Sequence, residues 1–131
     1  MKFHRLALFL VTTAMTALLA GCAGLGSKPP IGVAFTAGLT PPTSMDASAN
    51  INVAATVTND PGHAGVNWTV TCGSDPCGYF DTANPVASGS PVAYHAPDSV
   101  PSENTVTLTA TSVTDSSKSV SAAITITSNP K

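Results

Sequence analysis

The sequence predicts an all-β domain, an antiparallel sandwich of about seven strands that occupies residues 31–128. Three observations support this prediction. Apolar and polar residues alternate with a period of two in several short runs. Turn-forming residues separate these runs, and no segment after residue 21 has the 3.6-residue apolar period of an amphipathic helix. We therefore expect each strand to place one face in a shared core and the other in water.

The first predicted strand, residues 31–36, is followed by Pro41 and Pro42. Because proline lacks the N–H that a sheet ladder uses, we expect this segment to lie at an edge or to cross between sheets. A shorter strand is marked by Val92 and Tyr94. The strands with the clearest alternation are residues 51–58, 66–72, 105–111 and 120–127. Turn formers between strands occupy residues 59–62, 84–85, 88–89, 96–98 and 115–117.

Trp68 lies in the middle of the alternating run 66–72, on the same side as Val66 and Val70. An aromatic ring on the apolar side of a strand indicates a core residue. The alternative, an exposed platform on which a sugar stacks, would require the strand to be turned over. We therefore predict that Trp68 is buried.

Residues 1–21 have the pattern of a secretory signal. A basic head that contains Lys2 and Arg5 precedes an uncharged apolar run, residues 6–20, and small residues lead to Cys22. The apolar run is shorter than the roughly 20 residues that a membrane-spanning helix needs. A transmembrane anchor is therefore the weaker alternative.

The segment Leu19-Ala20-Gly21-Cys22 resembles the lipobox of bacterial lipoproteins at all four positions. In that family the cysteine thiol takes a diacylglycerol, and the signal is cut off just before the cysteine. The resemblance implies that Cys22 is lipidated and that this covalent lipid, the only cofactor expected, holds the mature protein to a membrane. Ala23 follows the cysteine where an Asp would favour inner-membrane retention, so the resemblance favours the outer membrane of the cell envelope. The alternative is an ordinary signal with a chance cysteine.

The predicted mature chain is the length of one domain, with residues 22–30 as a short linker. It carries three lysines against seven acidic residues, hence a formal charge of 3 − 7 = −4. No basic patch is present in its sequence. Nucleic acid and anionic lipid surfaces are therefore not expected as partners.

Two further cysteines, Cys72 and Cys77, remain after Cys22. An even pair in a secreted chain indicates a disulfide, here one that closes a short loop and stabilises the fold by about 2 kcal/mol. A metal site would need two more ligands, and His63 and His95 are distant in sequence. A redox pair of the thioredoxin type has two intervening residues, not four. We therefore predict a structural disulfide.

The sequence contains no motif for nucleophilic or acid–base catalysis, so we predict that the protein is not an enzyme. Its two histidines beyond residue 22 are isolated, and its aspartates lie in turns, where they commonly bind their own backbone. No resident metal is expected. Asp60 and Asp98 are candidate calcium ligands on the condition that their loops converge at one end of the sandwich.

Five segments occur in an order that resembles the bacterial immunoglobulin-like (Big-type) domains of surface and adhesion proteins. They are residues 53–57, the Gly-Val-Asn-Trp-Thr-Val run at 65–70, Tyr-His-Ala-Pro at 94–97, and residues 104–112 and 118–126. The resemblance covers roughly residues 33–127 and implies an immunoglobulin-like sandwich with no catalytic residues. Antibody-type domains bridge their sheets with a disulfide packed on the Trp, whereas both cysteines here follow the Trp strand. The two sheets should therefore be held together by packing alone.

The leading hypothesis is a lipid-anchored, non-catalytic domain of the cell envelope that acts in adhesion or in assembly with an envelope protein, through its loops or an exposed strand edge. The alternative is a carbohydrate-binding accessory module that recognises an envelope polysaccharide. For that alternative Tyr79 and Phe80, next to the disulfide loop, are the candidate ligand contacts. A structural spacer is the third possibility.

Overall fold

A computed structural model describes residues 26–73 and 76–129, which form strands joined by turns and loops. The prediction of an all-β, sandwich-like domain is confirmed, because this part of the chain holds nine strands and no helix. Accordingly, none of these residues belongs to a helix that is long and apolar enough to cross a membrane. The predicted signal, residues 1–21, and the predicted lipidation site Cys22 lie outside the described residues.

In chain order the strands are β1 (Gly32–Phe35), β2 (Ser44–Asp46), β3 (Asn50–Val53), β4 (Ala55–Thr58), β5 (Val66–Thr71), β6 (Tyr79–Phe80), β7 (Val92–His95), β8 (Thr105–Ser112) and β9 (Ser119–Thr127). One sheet has the order β2-β9-β8-β5. The other strands form the pair β1-β4 and the sheet β3-β7-β6, and β3 continues into β4 through Ala54. All pairs are antiparallel except β2 with β9, which is parallel, so the expectation of a purely antiparallel sandwich is corrected to mixed sheets.

The predicted strand 51–58 divides into β3 and β4 because Ala54 forms hydrogen bonds with a loop instead of a strand. Its carbonyl accepts from the N–H of Thr36 at 2.8 Å, and its own N–H donates to the carbonyl of Leu39 at 3.0 Å. The chain therefore changes partner at this point, from β7 to β1. This division, together with the three-residue strand β2, accounts for the excess over about seven strands.

The core lies between the two layers and consists of the apolar side of each strand. Trp68 is 3% exposed, which confirms the prediction of a core residue. Its ring centroid lies 6.3 Å from that of Phe35 and 5.2 Å from that of Phe80. The other buried strand residues that surround it include Val53, Val66, Val92, Tyr94, Val106, Leu108, Ala110, Ile124 and Ile126.

The strand register defines two ends of the domain. At the end where the chain enters β1, Gly32 lies opposite Thr58, and the loops 59–65 and 113–118 are found there. We call this the tether end. At the opposite end Asn50 lies beside His95. The loops 47–49 and 96–104 and the described residues of the disulfide loop, 72–73 and 76–78, are found there, and we call it the far end.

Candidate functional site

The far end is organised by a disulfide between Cys72 and Cys77. Their sulfur atoms lie at bonding distance and their Cα atoms are 5.4 Å apart, which confirms the predicted pairing. The bridge closes the connection between β5 and β6: Cys72 directly follows β5 of one sheet, and Cys77 lies two residues before β6 of the other. The bridge therefore links the two sheets, which corrects the expectation that packing alone holds them together.

The buried Tyr94 ties this loop to the core. Its hydroxyl donates a hydrogen bond to the carbonyl of Cys77 at 2.6 Å. Burial raises the pKa of Tyr94 to about 12, so the hydroxyl keeps its proton and remains a donor at neutral pH. Gly78 passes directly under this contact with a φ of 82°, and a Cβ there would lie 2.7 Å from the Tyr94 hydroxyl. Only glycine fits at this position.

Tyr79 and Phe80, the predicted pair of ligand contacts, point in opposite directions because they are consecutive residues of a strand. The Phe80 ring lies inside, with its centroid 5.2 Å from Trp68 and 5.4 Å from Tyr94. The Tyr79 side chain is 60% exposed, and its ring stacks on His95 at 4.8 Å with an interplanar angle of 12°. The candidate pair therefore reduces to Tyr79, since the partly buried Phe80 packs against the core.

A shallow cleft of about 210 Å³ adjoins Tyr79 and is bounded on its other side by Pro97 and Asp98. The Asp98 carboxylate accepts a hydrogen bond from the Ser48 hydroxyl at 3.3 Å, in an exposed position. Ser48 has a φ of 62°, and its N–H donates to the carbonyl of Pro97 at 2.9 Å. The cleft thus brings Tyr79 and the Asp98 carboxylate together, and the Ser48 hydroxyl lies beside that carboxylate.

Asp60, predicted as a candidate calcium ligand, has its oxygens occupied by the protein. Its Oδ1 accepts from the Thr114 hydroxyl at 2.8 Å and from the Gly62 N–H at 3.1 Å, and its Oδ2 accepts from the Ala64 N–H at 2.9 Å. These hydrogen bonds, that of Thr114 above all, hold the pKa of Asp60 below its ordinary value. The carboxylate therefore ties the loop 59–65 to the turn after β8.

The structure does not bring Asp60 and Asp98 together. Asp60 follows β4 at the tether end, whereas Asp98 follows β7 at the far end, because the two loops leave opposite ends of the layer. Within residues 26–73 and 76–129 no three His, Cys, Asp or Glu side chains are placed to hold a metal ion. The convergence on which a shared calcium site depends is absent.

Two residues of the far end were not predicted as parts of a site. His95 was expected to be an isolated histidine, yet it supports the Tyr79 ring, and its enclosed Nε2 has no hydrogen-bond partner in the described part of the chain. No pattern in the sequence indicated a role for Ser48. The pairing of Tyr79 with His95 depends on the register of β6 against β7, for which the sequence carries no local signal.

The fold and the site together define a small β-sandwich with a disulfide-closed loop and one supported aromatic ring at its far end. In comparisons with known proteins, no family model, no curated protein and no solved structure matches the chain.

Proposed function

We propose that this protein is a lipid-anchored, non-catalytic module of the cell envelope, an immunoglobulin-like domain that acts in adhesion through its far end. The observation that carries the proposal is the separation of tether and far end. Lys28 and Pro29 lie against the loop after β4, and the Asn59 side chain donates to the carbonyl of Pro30 at 2.9 Å. With lipid on Cys22, four residues before Gly26, the disulfide loop and Tyr79 would face away from the bilayer.

The strand order supports the immunoglobulin-like assignment. Seven-stranded immunoglobulin domains have the sheets A-B-E-D and C-F-G. Here β1, β3 with β4, β7 and β6 correspond to the first order, and β5, β8 and β9 to the second. The short strand β2 is an addition beside β9.

The non-catalytic character of the proposal is supported by the placement of the two described histidines. His63 lies at the tether end and His95 at the far end, where its ring is stacked under Tyr79. A nucleophile needs a base and an orienting group within hydrogen-bond distance. The two histidines are therefore too widely separated to act together.

Anchoring is tested by expressing the full chain in bacteria with an alkyne-bearing fatty acid. We expect the wild type to be labelled and to sediment with outer membranes, and the Cys22→Ala variant to lose both properties. The Cys72→Ala variant is the matched control, because it removes a different cysteine and should keep the label. A label that persists without Cys22 would contradict the proposal.

Adhesion through the far end is tested with a photo-crosslinking residue placed in the full chain in cells. We expect envelope components to be captured from the exposed position 99, at the far end, and not from the exposed position 116, at the tether end. The reverse pattern, or equal capture from both positions, would count against the far end as the adhesive surface.

Assembly with an envelope protein is the second candidate, and it is favoured by an open stretch of β9. Strand β2 pairs only with residues 125–127, so among the described strands residues 119–123 pair with β8 alone, and β1 lies near β9 without pairing with it. In that stretch Val120 and Ala122 are only half-buried, whereas Ile124 and Ile126 are fully buried. An extended partner strand would complete the ladder and cover both side chains.

The second candidate is tested at Ser121. The N–H of Thr125 donates outward to the carbonyl of Thr43 at 2.9 Å, so by the two-residue period the N–H of Ser121 faces the same open side. Ser121→Pro removes that donor, and proline is tolerated at strand edges. If β9 is the docking edge, a folded Ser121→Pro variant should lose an envelope protein that copurifies with the wild type.

A further inference from the structure

The backbone on both sides of Tyr79 is anchored, and the Tyr79 ring itself rests on His95. Two residues before Tyr79, the Cys77 carbonyl accepts a hydrogen bond from the Tyr94 hydroxyl. Directly after Tyr79, the Phe80 ring packs on Trp68. One face of the Tyr79 ring lies on His95, and the ring remains 60% exposed. A binding surface that is fixed in advance has little conformational entropy left to lose when a ligand binds.

The surroundings of Tyr79 fit a sugar site better than they fit the core of a protein interface. Protein interfaces have a core of several clustered apolar anchors. In the described residues the other exposed large hydrophobic side chain is Val113, which follows β8 at the tether end, so Tyr79 stands alone. Tyr79 shares a cleft with Asp98, whose carboxylate accepts a hydrogen bond from the Ser48 hydroxyl.

The chemistry of a pyranose ring fits this arrangement. Its C–H groups carry a small positive charge, and the face of an aromatic ring carries the negative part of the quadrupole. Its hydroxyls donate to a carboxylate such as that of Asp98, and they both donate to and accept from a hydroxyl such as that of Ser48. One sugar ring thus satisfies the apolar face and the polar rim together.

The charge of the far end selects against acidic polysaccharides. Asp46, Asp98 and Glu103 lie at this end, whereas the described lysines, Lys28 and Lys118, lie at the tether end. An anionic chain would approach carboxylates with no described lysine beside them, and like charges repel. The far end therefore disfavours an acidic saccharide, whereas a neutral saccharide meets no such repulsion.

We propose that the far end binds a neutral saccharide, with one pyranose ring stacked on the exposed face of Tyr79 and its hydroxyls bonded to Asp98 and Ser48. This inference rests on the proposed role in adhesion and names the ligand class of the same surface.

The test uses residues 23–131, which contain every described residue, with the disulfide formed. The ¹⁵N-labelled protein is titrated with tetramers of β-1,4-glucose, β-1,4-N-acetylglucosamine and β-1,4-mannose. We expect at least one tetramer to shift the amide resonances of Tyr79, Ala96 and Asp98. Tyr79→Ala should weaken its binding at least about tenfold, while Tyr79→Phe, which keeps the ring face, and Val113→Ala should stay within about twofold of the wild type.

Two results would overturn the saccharide proposal. In one, none of the three tetramers shifts these resonances at millimolar concentration. In the other, binding is as tight in a Tyr79→Ala variant whose spectrum shows a folded protein. If the saccharides fail while position 99 still captures an envelope protein in cells, the ligand class is wrong and adhesion through the far end stands. If both experiments fail, the far end is not the binding surface.

Discussion

The side-chain amide of Asn84 binds both backbone groups of Trp68: Oδ1 accepts from its N–H at 2.8 Å, and Nδ2 donates to its carbonyl at 2.9 Å. Asn84 thus acts as a strand neighbour along the outer edge of β5. Val86 continues this role, since it exchanges two backbone hydrogen bonds of 2.8 Å with Val66. The edge of β5 is therefore closed without a full strand, because the backbone groups of Val66 and Trp68 that face away from β8 have partners.

Replacement of Asn84 should weaken the fold measurably. In Asn84→Ala both backbone groups of Trp68 lose their partner in a part-buried place, and we expect a loss of about 2 kcal/mol in the free energy of unfolding. Urea denaturation followed by Trp68 fluorescence measures this loss. The control is Asn67→Ala, an exposed change on the same strand, which should stay within about 0.5 kcal/mol of the wild type. Equal stability of the two variants would show that the Asn84 amide is dispensable.

Truncation of the two adjacent aromatic residues in β6 should reduce the free energy of unfolding by different amounts. Phe80→Ala removes a ring that packs on Trp68 and Tyr94, and since Phe80 is only partly buried we expect a loss of about 2–3 kcal/mol. Tyr79→Ala removes a mostly exposed ring and should cost less than about 1 kcal/mol. Thermal and urea unfolding of both variants provide the comparison. A larger loss for Tyr79→Ala would mean that the register of β6 is shifted by one residue.

The free energy of unfolding should fall in acid because the Asp60 carboxylate becomes protonated. Its pKa is lowered in the folded protein from an ordinary value near 3.8, chiefly by the Thr114 hydroxyl. A depressed pKa contributes stability above the unfolded value, and this contribution is lost as pH falls through the folded value. Urea midpoints measured from pH 7 to pH 2 should therefore decline less steeply below pH 4 in Asp60→Asn than in the wild type. Asn67→Ala, an exposed change that removes no carboxyl, should leave the wild-type slope unchanged.

The alkaline limit should be set by Tyr94. Burial raises its pKa from 10.0 to about 12, so its contribution to stability is complete below pH 10 and is lost as pH rises toward 12. Tyr94→Phe should cost about 1 kcal/mol at neutral pH because the Cys77 carbonyl loses its donor. The stability of the variant should also decline less steeply above pH 10 than that of the wild type. Urea midpoints at pH 7 and across the alkaline range measure both effects, and an unchanged alkaline slope would rule out Tyr94 as its source.

Much of the core could be predicted from the sequence, because a strand's two-residue period is a local property. Val106, Leu108 and Ala110 alternate with threonines in the sequence, and all three are fully buried. By contrast, β2 has a single buried residue, Met45, in a strand too short to show any period. The division at Ala54 is set by its backbone hydrogen bonds with Thr36 and Leu39, which lie in a different segment of the chain.

The candidate site was predictable only in part. The sequence identified the disulfide and the aromatic pair beside it, but which ring faces water depends on the register of β6 with β7. For the same reason the positions of Asp60 and Asp98 at opposite ends follow from the pairing of Asn50 with His95, a contact between distant residues. Non-local pairings of this kind leave no trace in spacing or composition.

The placement of β1 has a mechanical consequence. A molecule held at its tether and grasped at Tyr79 would be stretched along its strands, because the two points lie at opposite ends of the domain. Interstrand hydrogen bonds in an antiparallel pair run perpendicular to that direction. The bonds between Gly32–Phe35 and Ala55–Thr58 would therefore carry the load in shear, all at once, instead of opening one after another. Resistance to tension would then be built into the strand that receives the pull first.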